Sequence, residues 1–299
     1  MSEKVCAIVV TYNRKALLRE CLQALKNQTR KPDHVLVVDN ASTDGTLGML
    51  EAEFPEVEVL KMPRNEGGAG GFYEGMKWGY ERGFDWLWLM DDDTIAKADA
   101  LAELDSASRA LQSYLGQPLL LASRVEWIDG SVHPMNFPMI KTSDLDLLVK
   151  SVEMGYLSIR STSFVSVLVH RSAIETYGLP IKDYFIWNDD VEYTARILKR
   201  GVGFLVPSSI VVHKTTLKYL PVTGAHPERF YYEVRNKLWM LRWSDAWSMK
   251  EKLKLGLRLM YDGVRYIYKK RFSVRVFYHI LRGIKDGFFR APKGNNHRV

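Results

Sequence analysis

Three consecutive aspartates, Asp91-Asp92-Asp93, end the apolar run Trp86-Leu87-Trp88-Leu89-Met90. Adjacent carboxylates repel one another unless a cation or basic groups compensate. At a strand end alternate side chains splay to one side, so Asp91 and Asp93 can share a divalent metal through hard oxygens. The competing reading is a helix cap by Asp93 or Thr94 ahead of the segment from Ala96 to Tyr114, but a cap employs one aspartate and leaves two unexplained. A second acidic cluster, Trp187-Asn188-Asp189-Asp190-Val191-Glu192-Tyr193, precedes a helical segment carrying Ala195, Arg196 and Leu198. Beside Tyr184, Phe185 and Trp187 a carboxylate would have its pKa raised and could act as a general base. Acids that simply favour a helix N-terminus are an equal alternative. His213 closes the apolar run from Leu205 to Val212. Imidazole is a common metal ligand, although a strand-end histidine is more often an ordinary polar terminus.

The glycines of Arg64-Asn65-Glu66-Gly67-Gly68-Ala69-Gly70-Gly71-Phe72 match neither a dinucleotide fingerprint nor a nucleotide-hydrolase loop. Close backbone approach to a bulky ligand, with Arg64 available for a phosphate, is the reading that survives.

These residues need a scaffold that gathers them. Val5 to Val10 predicts a strand ended by Thr11-Tyr12-Asn13, and Arg14 to Asn27 carries Leu17, Leu18, Cys21, Leu22 and Leu25 at helical spacing. The alternation returns as a strand at Val35 to Val38, an Asp39-Asn40-Ala41-Ser42-Thr43-Asp44-Gly45 turn, a helix from Thr46 to Phe54 and a strand from Val57 to Lys61. A helix through Trp78 and Tyr80, a strand from Asp85 to Met90, a helix from Ala98 to Tyr114 and a strand from Leu119 to Trp127 follow. Repeated strand-helix units imply an α/β fold with a mainly parallel sheet and helices on both faces. Ligands then bind beyond the carboxyl ends of the strands, where Thr11, Asp39, Asp91 to Asp93 and His213 all fall. The stretch from Asp129 to Met154 reads as irregular and mobile, before strand-like runs at Phe164 to His170 and Phe204 to His213.

With 299 residues and 46% apolar content the chain can fill a real core, which excludes wholesale disorder. Two cysteines, Cys6 and Cys21, form no disulfide framework and read as buried thiols in a reducing compartment. The short apolar run before Thr11 is too brief for a secretory signal, and no stretch is long enough to span a membrane. A cytoplasmic protein able to lie on a membrane is the expectation. The net charge of +7 is uneven. Residues 226–299 hold 18 Lys and Arg against 6 Asp and Glu, net +12, whereas residues 1–225 are net −5. We therefore divide the chain into a catalytic region, 1–225, and a basic, aromatic-rich helical region, 226–299. In the latter Leu253, Leu257, Met260, Val264 and Ile267 share one helical face, with Lys254, Arg258, Arg265 and Lys269 off it. Such a helix suits an anionic membrane surface; packing on protein, including a homo-oligomer contact, is the alternative.

Taken together, Thr-Tyr-Asn after the first strand, Val-Val-Asp-Asn-Ala-Ser-Thr-Asp-Gly-Thr after the second, the Arg-Asn-x-Gly-Gly-Ala-Gly-Gly-Phe segment, Asp-Asp-Asp and Asp-Asp-x-Glu resemble family 2 inverting glycosyltransferases of the GT-A fold. The resemblance spans roughly residues 4–215. The glycine segment, the Trp187 to Tyr193 segment, Tyr231-Tyr232-Glu233-Val234-Arg235-Asn236 and Gly283-Ile284-Lys285-Asp286-Gly287 look most like galactofuranosyl and rhamnosyl transferases of cell-surface polysaccharides. It implies that Thr11, Asp39 and Arg64 hold the nucleotide of the donor, with Asp92 near its sugar. It implies that Asp91, Asp93 and His213 hold Mn²⁺ or Mg²⁺. Asp190 becomes the base that deprotonates the acceptor hydroxyl, with Trp187, Asp189 and Glu192 at the acceptor. The implied donor is UDP-galactofuranose or dTDP-rhamnose, and the acceptor a lipid-linked or polysaccharide glycan.

Two other classes compete. A sugar nucleotidyltransferase also grips a nucleoside phosphate with strand-end aspartates, but should carry a glycine-rich basic loop after the first strand, where Thr11-Tyr12-Asn13-Arg14-Lys15 stands. A nucleic-acid binder should line its crevice with basic residues, which here are segregated to the C-terminal helices, so nucleic acid is not an expected partner.

Overall fold

The computed structural model describes residues 3–219 and 221–293. The first half of the chain forms β1 (Val5–Thr11), α1 (Lys15–Lys26), β2 (His34–Asp39), α2 (Thr46–Glu53), β3 (Glu58–Lys61), α3 (Gly67–Glu81), β4 (Trp86–Asp91), β5 (Thr94–Ala96), α4 (Ala100–Leu115) and β6 (Leu120–Glu126). Next come β7 (Met139–Ile140), α5 (Leu145–Glu153), β8 (Leu157–Ser161), β9 (Val167–His170), α6 (Arg171–Tyr177), α7 (Asp189–Leu198) and β10 (Gly203–His213). Three helices, α8 (Pro227–Arg242), α9 (Met249–Lys269) and α10 (Val274–Phe289), complete the described chain.

The sheet order is β3-β2-β1-β4-β9-β6-β10-β8-β7, with β5 paired to the end of β10. β3, β2, β1 and β4 run parallel, as do β6 and β10, whereas β9 lies antiparallel between β4 and β6. Val5, Ala7 and Val9 of β1 and Trp86, Trp88 and Met90 of β4 face one core layer with α1, α2 and α4. Cys6, Ile8, Val10, Leu87 and Leu89 face the other, with α3, α6 and α7. Helices cover both faces, so these strands have no solvent side and read as unbroken apolar runs. Cys6 and Cys21 are buried free thiols.

Two expectations are corrected, and the helix-cap alternative for the aspartates falls away. The segment 129–154, read as irregular and mobile, contains β7 and α5 and buries His133, Asn136 and Lys141. The Lys141 ammonium donates to the carbonyls of Leu198 and Gly201 at 2.9 and 3.1 Å, and Asp144 caps α5 by accepting from the Leu147 N–H. Order there comes from tertiary contacts, which a polar local sequence does not display. The residues after the aspartates cap no helix: Thr94 starts β5, and α4 begins only at Ala100. Of the glycines read as allowing close backbone approach to a ligand, Gly71 instead seats α3 on its own sheet, as Gly75 beyond them does, whereas Gly67 and Gly68 line the cleft described below. A Cβ on Gly71 would lie 2.5 Å from Val10 Cγ1, and one on Gly75 2.6 Å from Ile8 Cγ2.

The C-terminal helices pack on one another and on residues 1–225, as the Arg160–Glu251 and Asn236–Tyr184 contacts show. Gly287 lets α10 approach α8, since a Cβ there would lie 2.7 Å from Leu238 Cβ. α9 is amphipathic in the opposite sense to an ordinary packed helix. Leu253, Leu257, Met260 and Val264 are exposed, whereas Asp262 and Tyr266 are buried. Ile267, expected on the same stripe, packs inward. No helix among the described residues is long and apolar enough to cross a membrane.

Candidate functional site

A cleft of about 1030 Å³ opens over the carboxyl ends of β1, β4 and β10 and is walled on its far side by α8 and α9. Its lining includes Thr11, Arg14, Asp91 to Asp93, Trp187, Asp189, Asp190 and His213, which are 202 positions apart in sequence at the extremes. β5 explains how the aspartates meet His213. After β4 the chain turns through Asp92 and Asp93 and runs back along β10, pairing Thr94 with His213.

At this end of the cleft each carboxylate has a distinct environment. Asp92 accepts a hydrogen bond from the Thr11 hydroxyl at 2.7 Å, and Arg14 reaches Asp92 at 3.4 Å and Asp93 at 2.5 Å. Burial and the neighbouring Asp93 charge push Asp91 up to about 7. Burial also lifts Asp92 to about 6, against the pull of Arg14 and the Thr11 hydroxyl. Burial would raise Asp93 too, but His213 and Arg14 hold it below the usual carboxylate range.

Asp91, Asp93 and His213 offer ligand atoms all within 4.8 Å of one another. The His213 Nδ1–H donates to Asn136 Oδ1 at 2.9 Å, while the Asn136 amide donates to Ser163 Oγ. The Nε2 side of the ring lies 3.1 Å from Asp93 Oδ1, a buried oxygen that a proton or a metal on that nitrogen would satisfy. An imidazole nitrogen and a carboxylate oxygen at this separation can share a cation between them. Two hard oxygens and one imidazole suit a divalent metal.

The other acidic group is built differently. Phe185, Trp187 and Asn188 all have positive φ, 66°, 64° and 65°, in a region that bulky L-residues avoid. Such backbone persists only where surrounding contacts over-determine it, at an order of 1–3 kcal/mol per residue. Here α8 supplies those contacts. The buried Asn236 amide donates to the carbonyls of Tyr184, Ile186 and Trp187 at 3.0, 2.8 and 2.8 Å. Arg235 donates to the carbonyls of Asp183 and Tyr184, and Asn188 donates to Glu233 Oε2 at 2.9 Å. On the opposite side Gly67 lies under the loop, since a Cβ there would lie 2.0 Å from the Phe185 carbonyl oxygen. The loop delivers Asp189 and Asp190 to the first turn of α7, where exposed N–H groups favour negative charge. Burial lifts Asp190 to about 6, while the Asp190 Oδ1 accepts from the Val191 N–H at 2.7 Å. Burial, the Asp190 charge and the Asp91 charge raise Asp189 well above its usual range, so the two acidic groups feel one another across the cleft.

Not all the expected residues meet here. Glu192 turns away from the cleft, pairs with Arg196 at 3.1 Å and accepts from the Ser244 hydroxyl, lining a separate cavity of about 180 Å³. It braces α7 from behind, which corrects its expected position at the acceptor. Arg64 lies outside the cleft lining, exposed and paired with Glu66 at 3.1 Å. Asp39 also lies outside the lining and is buried beneath the turn, accepting the Ser42 N–H. Conversely, Arg14, Asn136, Asn236 and Arg229 carry no assignment from the sequence, and Arg258 and Arg265, expected beside a membrane surface, line the cleft. Arg14 stands beside the Thr11-Tyr12-Asn13 motif and Asn236 ends the Tyr231 to Asn236 segment, but their partners lie 49 to 79 residues away and are invisible to spacing.

Residues 6–108 match the family described as Glycosyl transferase family 2. The chain is 32% identical over 207 residues to galactofuranosyltransferase GlfT1 of Mycobacterium tuberculosis, covering 68% of this chain and 67% of that protein. It is 26% identical over 251 residues to dTDP-rhamnosyl transferase RfbF of Shigella flexneri, covering 81% of each. Among solved structures, S. aureus TarS 1–349 in complex with UDP-GlcNAc shares the fold with a TM-score of 0.63 at 14% identity, covering 95% of this chain and 80% of that one.

Proposed function

The chain belongs to glycosyl transferase family 2 and is a hexosyltransferase of the GT-A fold, and we propose that it moves galactofuranose from UDP-galactofuranose, with inversion, onto a hydroxyl of a lipid-linked or polysaccharide acceptor. The observation that carries this reading is the single cleft in which a metal-type cluster, Asp91, Asp93 and His213, faces a half-buried carboxylate of raised pKa, Asp190. Similarity to GlfT1 supports the furanose donor, while similarity to RfbF keeps dTDP-rhamnose as the second reading.

In this reading Asp190 accepts the proton of the acceptor hydroxyl, whose oxygen attacks the anomeric carbon of the donor as the bond to the diphosphate breaks. Attack opposite the leaving group needs one base and no enzymic nucleophile, so the anomeric configuration inverts. Asp91, Asp93 and His213 would hold Mn²⁺ or Mg²⁺, which when bound neutralises charge gathering on the leaving diphosphate. Asp92, fixed by the Thr11 hydroxyl and Arg14, borders the donor sugar. Thr11 takes the nucleotide, while Asp39, its partner in the β1–β2 register, holds the adjacent turn through the Ser42 N–H. Arg64 joins Thr11 by exchanging Glu66 for a phosphate. The Trp187 ring and Asp189 meet the acceptor sugar.

The C-terminal region, 226–299, attaches the enzyme to the inner face of the cytoplasmic membrane. Leu253, Met260, Val264 and Tyr268 are exposed on α9 and Val274 and Phe289 on α10, among Lys254, Lys269, Arg271 and Lys285, which are exposed too. Apolar and aromatic side chains set among cations match an anionic lipid surface. Two buried free thiols accord with the reducing side of that membrane.

The test is incubation of the full chain with UDP-galactofuranose or dTDP-rhamnose, Mn²⁺ and a lipid-linked acceptor. Transfer from one donor supports the reading; a chain that binds UDP but transfers from neither contradicts it.

A further inference from the structure

The helical wall of the cleft carries more positive charge than its own carboxylates use. Lys237, Arg258, Arg229 and Arg265 line it, along with Glu228, Glu233 and Asp262. Lys237 pairs with Glu233, Arg258 with Asp262 at 2.9 Å, and Glu228 is taken from outside by Arg275. Arg229 and Arg265 are left without a carboxylate within ion-pair distance among the described residues, each instead facing a ring: Arg229 lies 5.5 Å from the Trp187 centroid and Arg265 5.4 Å from that of Tyr261. The residues next in sequence, Phe230 and Tyr266, stack with centroids 3.7 Å apart and planes at 9°, which holds α8 and α9 together at the level of the two arginines.

We propose that Arg229 and Arg265 form an anion-binding subsite for a phosphate ester carried by the acceptor, between its sugar and its lipid; this rests on the glycosyl-transfer reading above. Arg229 neighbours Trp187, three residues from Asp190, so an anion held there lies on the acceptor side of the cleft. Neither arginine is within ion-pair distance of Asp91, Asp92 or Asp93, where the donor diphosphate is expected. A phosphate ester accepts two forked, charge-assisted hydrogen bonds from two guanidinium groups, a stronger match than the neutral hydroxyls of a glycan. The same helix, α9, turns Arg258, Asp262 and Arg265 to the cleft and exposes Leu253, Leu257, Met260 and Val264. A lipid tail leaving the phosphate thus meets an apolar surface one helix width from the cleft.

Binding of farnesyl diphosphate to the full chain in EDTA tests the subsite apart from the metal. The wild type should bind it about tenfold or more tighter than inorganic pyrophosphate, and Arg229→Ala/Arg265→Ala should weaken it about tenfold or more. Mn²⁺-dependent UDP binding should be unchanged in that double variant, and Asp91→Asn should show the reverse pattern. Equal binding of farnesyl diphosphate by wild type and double variant overturns the subsite. So does an equal loss of UDP, which assigns the arginines to the donor. Equal affinity for pyrophosphate removes the lipid from the ligand, and loss of sedimentation with phosphatidylglycerol vesicles in the double variant assigns the arginines to headgroups. If the wild type fails to bind UDP with Mn²⁺ while its farnesyl diphosphate binding depends on both arginines, the glycosyl-transfer reading falls and the anion site stands.

Discussion

The two walls of the cleft are built on opposite plans. On the sheet side the functional groups are strand ends, and each is tied to a neighbour: Asp92 to Thr11, Asp93 to Arg14, His213 to Asn136. On the helix side Arg229 and Arg265 lack carboxylate partners among the described residues, and the apolar stripe of α9 faces outward. A sheet buried on both faces fixes positions tightly enough to gather like charges, and that suits a metal and a leaving diphosphate. Helices that leave cations and apolar side chains unpaired suit a ligand or surface that arrives from outside. The base loop joins the two plans, because Asp190 sits at the start of α7 while α8 holds the strained backbone that delivers it.

The largest effect should come from the joint itself. Asp190→Asn should lower transfer by about 10²–10⁴-fold with UDP affinity retained, measured as turnover against UDP binding. Asn236→Ala removes three carbonyl contacts without touching a substrate, so kcat should drop by roughly 10²-fold through misplacement of the base, while UDP affinity stays. If that variant behaves as wild type, the helical wall does not position the base and the contrast between the walls is simpler than described.

On the sheet side, Asn136→Ala frees the His213 ring and should weaken Mn²⁺ binding roughly 10–100-fold, as read by isothermal titration. The raised Asp190 pKa gives a pH dependence. Its carboxylate form is the active one, so kcat should be flat well above about pH 6 and fall about tenfold per unit below it, with the midpoint absent in Asp190→Asn. The smallest effects belong to the outer face of the helices. Lys254→Gln and Lys269→Gln should each weaken binding to phosphatidylglycerol vesicles about fivefold, from about 1 kcal/mol per surface charge, and leave UDP binding alone. If vesicle binding is unchanged and the chain instead dimerises through Leu253 and Met260, that face is a protein contact.

The sheet side was largely legible in the sequence. Buried strands such as Trp86 to Met90 are continuous apolar runs, and their first polar residues fall at the ligand end by topology alone. The helix side was not. α8 and α9 announce themselves as helices, and the outward apolar stripe of α9 is the face a membrane-lying helix needs, but which residues turn inward depends on the packing: Ile267 packs against the core, and Arg258 and Arg265 turn to the cleft. The Tyr231 to Asn236 segment drew notice as a motif, but a role made of hydrogen bonds to carbonyls some 50 residues away leaves no spacing to read. β5 and β7, of three and two residues, are too short to carry a period, although β5 is what sets His213 beside Asp93. Glu192 belongs to the same acidic run as Asp190 but points to the other side of α7, a distinction set by two residues of helical rotation.

The central claim is a direct displacement assisted by one carboxylate in a cleft whose two walls divide the work. Following the anomeric signal of the product by NMR from the first turnovers tests it most directly. The account predicts that the first-formed glycoside has only the configuration opposite to that of the donor; a first-formed product of retained configuration would contradict it.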